Sequence, residues 1–220
     1  AGIDLSTVAN GVGGYVINGE PNGLAGLSVS SAGDVNGDGL ADVILSAGNT
    51  LKAYVVYGTT ASTPINLSAV AQGTGGFVIT SSNSALFAVS SAGDVNGDGY
   101  ADQIVRTQTE AYVVFGSGAP SSVNLASWSS GAGGYRITGL VSKGSVSSAG
   151  DFNGDGLADL VIGDPYKTSG TANSVGGAYV IYGTTASATS VNVASLAASQ
   201  GFSMTGQVQS DVFGASVSTI

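Results

Sequence analysis

The sequence predicts an all-β chain built from propeller-type blades of four antiparallel strands, with three complete blades between a leading D strand and a trailing A strand. Three observations carry that prediction. Glycine makes up 36 of the 220 residues and only 9% of the chain is charged, a mixture that suits short strands and tight turns better than helices. The chain also repeats itself. The segment Ser-Val-Ser-Ser-Ala-Gly-Asp occurs at Ser28 to Asp34 and Ser145 to Asp151, and Ala88 to Asp94 differs only at its first residue, so the closing aspartates lie 60 and then 57 residues apart. Finally, each unit holds four short apolar runs bounded by turn residues, which is the count a blade requires.

In the first unit those runs are A (Leu27 to Ala32), B (Ala41 to Ser46), C (Ala53 to Tyr57) and D (Gly76 to Thr80). The C runs return as Ala111-Tyr112-Val113-Val114-Phe115-Gly116 and Ala178-Tyr179-Val180-Ile181-Tyr182-Gly183, and their aromatic residues are expected in an inter-blade core. A further signature precedes each D run: Ile3-Asp4-Leu5, Ile65-Asn66-Leu67, Val123-Asn124-Leu125 and Val191-Asn192-Val193. The Ser/Thr/Ala/Pro-rich stretches Thr59 to Pro64, Ser117 to Ser122 and Thr184 to Ser190 fall at one place in every unit and read as C-to-D connections. The array divides into an outer strand of a preceding blade (1–22), blade 1 (23–82), blade 2 (83–139), blade 3 (140–206) and the first strand of a following blade (207–220). The leading D strand is Gly14 to Asn18 and the trailing A strand Phe213 to Ser218. That order predicts neighbouring repeats or copies completing the array, with the numbering beginning inside a longer precursor or a cut product.

Between A and B each unit carries one nine-residue loop. The loops are Asp34-Val35-Asn36-Gly37-Asp38-Gly39-Leu40-Ala41-Asp42, Asp94-Val95-Asn96-Gly97-Asp98-Gly99-Tyr100-Ala101-Asp102 and Asp151-Phe152-Asn153-Gly154-Asp155-Gly156-Leu157-Ala158-Asp159. Oxygen side chains at positions 1, 3 and 5 with glycine at 6 match the opening of an EF-hand calcium loop, and position 7 offers a backbone carbonyl. The EF-hand's Glu at 12 is replaced by Asp at 9, followed by a β-rich run, so these are not EF-hands. A hard, flexible all-oxygen donor set suits Ca²⁺ better than Mg²⁺. The expected ligands are therefore Asp34, Asn36, Asp38, Leu40 and Asp42, then Asp94, Asn96, Asp98, Tyr100 and Asp102, then Asp151, Asn153, Asp155, Leu157 and Asp159, one calcium per blade. Asn-Gly and Asp-Gly are also ordinary hairpin turns. A plain turn, however, has no need of four fixed oxygen side chains three times over, and nine of the fourteen acids sit in these loops.

The loops, together with Phe213-Gly214-Ala215-Ser216-Val217 and the Gly163-Asp164-Pro165 turn, resemble the FG-GAP repeat family of integrin α-subunit heads and large bacterial surface proteins. The other openings drift to Ala25-Gly26, Phe87-Ala88 and Lys143-Gly144, and the other turns to Ser46-Ala47-Gly48 and Arg106-Thr107-Gln108. The resemblance implies a seven-bladed propeller at the cell surface or outside the cell, engaged in adhesive or binding work.

Composition narrows the function classes further. The formal net charge is −9, with five cations (Lys52, Arg106, Arg136, Lys143 and Lys167) scattered singly, so a nucleic-acid partner is excluded for want of a basic patch. Cysteine and histidine are both missing, which removes disulfides, thiol nucleophiles, Ser-His-Asp triads and ordinary zinc sites. No run of apolar residues is long enough for a membrane-spanning helix. The acids outside the loops (Asp4, Glu20, Glu110, Asp164 and Asp211) fall at unrelated points of the repeat and form no catalytic pair. The expectation is a non-enzymatic, calcium-binding extracellular module with a protein or glycan ligand. A glycan-binding lectin is the alternative, and a non-catalytic module of a polysaccharide-degrading enzyme a more remote one. Trp128 offers a stacking platform or a blade cap, Asp164-Pro165-Tyr166-Lys167 reads as a surface loop, and Asn66-Leu67-Ser68 is a glycosylation sequon.

Overall fold

A computed structural model describes residues 4–82, 84–127, 133–170, 173–186 and 190–219. Ile3 of the first signature and Trp128 therefore lie outside the described residues. The described chain opens with the single helical turn α1 (Leu5–Ala9) and the two-residue strand β1 (Ile17–Asn18). Blade 1 follows as β2 (Ala25–Gly33), β3 (Asp42–Ala47) and β4 (Lys52–Val56). After a two-residue β5 (Ile65–Asn66) and a helical turn α2 (Leu67–Val70) it ends in β6 (Gly76–Thr80). Blade 2 runs β7 (Ala88–Gly93), β8 (Asp102–Arg106), β9 (Ala111–Val114), a short β10 (Val123–Asn124) and β11 (Gly134–Thr138). Blade 3 runs β12 (Val146–Gly150), β13 (Asp159–Asp164), β14 (Gly177–Ile181), a short β15 (Ser190–Asn192) and β16 (Gly201–Thr205).

Each blade is an antiparallel A-B-C-D sheet, in the order β2-β3-β4-β6, β7-β8-β9-β11 and β12-β13-β14-β16. The short strands belong elsewhere. β10 pairs in parallel with β6 of the blade before it, β15 pairs likewise with β11, and β5 with β1. The C-to-D connections of blades 2 and 3 thus each lend a fifth strand to the blade before, and that of blade 1 pairs with β1 alone; Thr80 Oγ1 donates to the Val123 carbonyl to hold one such joint. The Ile/Val-Asn-Leu signature marks these donors: a β-branched residue for pairing, then Asn as the cap of a helical turn. Asn192 Oδ1 accepts from Ala194 N–H in that role. Asn66 of the sequon is exposed and its Oδ1 accepts from Asn18 Nδ2.

The blades stack face to face on apolar side chains. Ile44, Val55 and Phe77 of blade 1 meet Val89, Val105 and Tyr112 of blade 2. Ile104, Val113 and Tyr135 of blade 2 meet Leu160, Ile162 and Tyr179 of blade 3. Tyr112 and Tyr179 thus fill inter-blade cores, as the C-strand pattern predicts, and Tyr54 is buried on the outer face of blade 1. The A strands β2, β7 and β12 lie side by side. The three sheets do not close on themselves.

Two end elements differ from expectation. The leading D strand is confined to Ile17–Asn18, the two residues that pair with β5, and follows left-handed turns at Gly11 and Gly13. No A strand forms over Phe213 to Ser218. Val212 and Gly214 adopt positive φ, and the segment makes a single bridge, Phe213 to Gly176. Among the described residues the segment has no antiparallel partner.

Arg106 and Asp164 also behave otherwise than their sequence positions suggest. Arg106, the last residue of β8, is fully buried and donates to the backbone carbonyls of Gly163 and Ser142. Its guanidinium lies 3.7 Å from Asp164, itself buried and not part of an exposed loop. Burial lowers the Arg106 pKa to about 10 against the opposing pull of Asp164. This pair ties blade 2 to blade 3 at the ends of their B strands, and Asp164 also accepts from Val141 N–H, Ser142 N–H and Ser142 Oγ.

Candidate metal centre

The three A-to-B loops share one backbone shape, and their residues dictate it. Positions 4 and 6 need left-handed backbone, which only glycine adopts without strain: φ is +75° and +84° at Gly37 and Gly39, +77° and +89° at Gly97 and Gly99, and +76° and +91° at Gly154 and Gly156. The turn brings backbone N–H groups onto the first aspartate. The Asp34 carboxylate accepts from Gly37, Asp38 and Gly39 at 2.7, 3.1 and 2.8 Å. Asp94 and Asp151 accept the same three bonds in their own loops. Asn36 closes an Asx turn on Asp38 N–H at 3.1 Å while its amide donates to Asp38 Oδ2 at 3.0 Å, and Asn96 and Asn153 repeat this.

Position 9 sits beneath the loop. Asp42 is buried and accepts from Val35 N–H at 2.9 Å and from Gly58 N–H at 2.7 Å, so it locks the loop to the exit of strand C. Asp102 does the same with Val95 and Gly116, and Asp159 with Phe152, Asn153 and Gly183. Burial raises the Asp42 pKa and raises that of Asp102 to about 7. The N–H bonds from strand C and the loop oppose this, and the two neighbouring loop aspartates add to it. The glycines that receive position 9 recur after the aromatic end of strand C. A Cβ on Gly58 would stand 2.6 Å from the Ala41 carbonyl, and one on Gly116 2.6 Å from that of Ala101. The repeated Tyr/Phe-Gly in the sequence is the signal for this contact.

All five sequence-predicted positions of each loop therefore converge on one turn, with 1, 3 and 5 on its solvent side and 9 under it. Among the described residues, no three acidic side chains stand close enough to form a metal-holding group in this arrangement. The cause is visible in the bonds: the first aspartate is turned onto backbone N–H groups, and the fifth-position carboxylate holds the Asn amide and the position-7 N–H. The donor set still fits a hard cation. It is all oxygen and mostly solvent-accessible, and the Leu40, Tyr100 and Leu157 carbonyls accept no protein hydrogen bond among the described residues. Releasing the Asn amide from the fifth-position carboxylate is the rearrangement that would free those oxygens.

What differs between the loops is their cover. The next blade clamps the first two: Ala101 and Ser117 N–H groups donate to the Asp34 and Val35 carbonyls at 2.9 and 3.1 Å, and Ala158 and Thr184 donate to Asp94 and Val95 at 2.9 and 2.8 Å. Val35 and Val95 are 0% and 1% exposed, whereas Phe152 at the same position of the third loop is 60% exposed. Phe152 leans on Phe202 with ring centroids 5.5 Å apart.

The family model described as FG-GAP repeat matches residues 25–60 and 144–181, and the one described as FG-GAP-like repeat matches residues 94–162. No curated protein matches the chain.

Proposed function

This chain belongs to the FG-GAP repeat family, and on that premise we propose that it is a non-enzymatic extracellular binding module whose three loops each take one calcium ion. FG-GAP repeats build extracellular and cell-surface modules, often adhesive, that generally mediate protein interactions. No helix among the described residues is long and apolar enough to cross a membrane. The observation that carries the calcium reading is the threefold recurrence of one loop with the same internal bonds. Each copy presents two carboxylates and an amide oxygen toward solvent, a carbonyl free of protein donors, and a third carboxylate anchored below. Asp34, Asn36, Asp38, Leu40 and Asp42 would hold the first ion, with the corresponding residues of loops 2 and 3 holding the others. The bound cation would neutralise three like charges crowded into nine residues.

A non-catalytic role is supported by what the remaining acids do. Asp4 caps α1 through Ser6 N–H, and Glu20 accepts from Lys52 Nζ at 2.7 Å and from Tyr54. Glu110 accepts from Tyr112, Asp164 is held by Ser142 and Arg106, and Asp211 accepts from Gln207 and Val208 N–H. Each is committed to structure, and none is paired with another across a cleft. The ligand in this reading is a protein or glycan at the cell surface.

Extracellular modules bind calcium with Kd of roughly 10⁻⁴ to 10⁻³ M, so at about 1 mM calcium each site adds about 0.4 to 1.4 kcal/mol by linkage. Thermal unfolding in calcium against EDTA tests this. The midpoint should fall clearly in EDTA, and an unchanged midpoint would remove calcium from the account.

A further inference from the structure

We infer that adjacent loops bind calcium cooperatively, because the peptide that offers a carbonyl to one ion also grips the first residue of the neighbouring loop. The inference rests on the calcium reading above and adds the regulation of those sites. It concerns the two joints at which loop 1 meets loop 2 and loop 2 meets loop 3. At the first joint the Ala101 N–H donates to the Asp34 carbonyl at 2.9 Å, and at the second the Ala158 N–H donates to the Asp94 carbonyl at 2.9 Å. Asp34 and Asp94 hold position 1 of their loops, while Ala101 and Ala158 hold position 8 of the next.

A trans peptide is planar, and its C=O and N–H point in opposite directions. The Ala101 N–H therefore shares one rigid plane with the Tyr100 carbonyl, the position-7 donor of loop 2, which accepts no protein hydrogen bond among the described residues. Leu157 and Ala158 stand in the same relation at the second joint. A cation on that carbonyl polarises the peptide, strengthens its N–H as a donor and fixes the plane that carries the bond. A second path runs beside the first. Asp102, position 9 of loop 2, accepts from Gly116 N–H at 2.9 Å, and the next N–H, that of Ser117, donates to the Val35 carbonyl of loop 1 at 3.1 Å. Asp159 accepts from Gly183 at 2.8 Å, and Thr184 donates to the Val95 carbonyl at 2.8 Å. Positions 7 and 9 of one loop are thus tied to positions 1 and 2 of the loop before.

The joints have no slack in which such a change could be lost. A Cβ on Gly33 would stand 2.5 Å from Ala101 Cβ, and one on Gly93 2.5 Å from Ala158 Cβ. A Cβ on Gly116 would stand 2.9 Å from the Val35 carbonyl, and one on Gly183 3.0 Å from that of Val95. Contacts this close transmit a displacement and do not damp it. Ordering one loop therefore prepares its neighbour, and by linkage the effect is equal in both directions. If the gain matches about one net hydrogen bond, each adjacent pair binds roughly two- to tenfold more tightly than its members alone. Loops 1 and 3 share no hydrogen bond among the described residues, so they communicate only through loop 2.

Calorimetric calcium titration of the chelator-treated full chain tests the coupling, with Asp38→Ala, Asp98→Ala and Asp155→Ala silencing loops 1, 2 and 3. Double variants give the association constant of each loop alone, and single variants give the two stepwise constants of each pair. For the pairs 1–2 and 2–3 the product of the stepwise constants should exceed the product of the single-loop constants roughly two- to tenfold. For the pair 1–3, left by Asp98→Ala, the two products should agree. Equal products for the adjacent pairs would overturn the coupling and leave three calcium sites standing. An excess as large for the pair 1–3 would overturn it as well, since the ions would then act through general stabilisation of the fold. No calcium uptake at all would defeat the calcium reading and the coupling together. Where a variant does not fold, the native chain decides: binding steeper than independent sites allow is expected, and a curve no steeper overturns the inference.

Discussion

Loops 2 and 3 differ at only two of nine positions, Val95 against Phe152 and Tyr100 against Leu157, yet they live in different surroundings. Their turns, their glycine angles and their Asx bonds agree. Loop 2 is roofed by blade 3 and tied to it by two backbone bonds, whereas loop 3 faces solvent. The comparison separates two causes that sequence repeats usually blur. Local residues set the shape of the loop, and the following blade sets its burial, its rigidity and the energetic weight of each side chain.

The sharpest way to test that separation is at position 9. Asp102→Ala orphans the Val95 and Gly116 N–H groups inside a packed interface and should cost about 3 kcal/mol. Asp159→Ala leaves its loop N–H groups to water and strands only Gly183, so about 1 to 2 kcal/mol is expected. Denaturant midpoints in EDTA measure both, and equal losses would mean the blade cover is not the deciding factor. A smaller contrast comes from the glycine before each loop. Gly93 and Gly150 both have positive φ, but an added Cβ at Gly93 would stand 2.5 Å from Ala158 Cβ while Gly150 has open space. Both alanine variants share the left-handed strain, and Gly93→Ala should lose about 1 to 3 kcal/mol more for overpacking. The mildest contrast is at position 2. Val95→Ala should cost about 1 to 2 kcal/mol as a buried truncation, and Phe152→Ala about 0.5 kcal/mol or less at its exposed position. A Phe152 loss equal to that of Val95 would show that loop 3 is covered in solution.

Much of this was legible in the sequence. The four strands of blade 1 fall within a residue or two of their expected limits at Ala25–Gly33, Asp42–Ala47, Lys52–Val56 and Gly76–Thr80, because alternating apolar runs and glycine turns are local signals. The loop residues were legible for the same reason. The fifth strands were not: Val123-Asn124 is too short to read as a strand, and its partner Ile79-Thr80 belongs to the unit before. Arg106 and Asp164 were hidden similarly, since a lone arginine looks like a surface cation until the blade that buries it is in place. The lesson from Phe213 to Ser218 runs the other way. The residues of an A strand are present, yet positive φ at Val212 and Gly214 keeps the segment to one isolated bridge.

Calcium-binding stoichiometry on the native chain tests the proposal that each of the three loops holds one calcium ion through its own oxygens. Titration of chelator-treated protein should saturate at three ions per chain. Asp38→Ala, which removes an exposed carboxylate that accepts the Asn36 amide and Leu40 N–H bonds, should reduce that to two and leave the fold intact by circular dichroism. No uptake at extracellular calcium levels, or three ions still bound by the folded Asp38→Ala chain, would contradict the account.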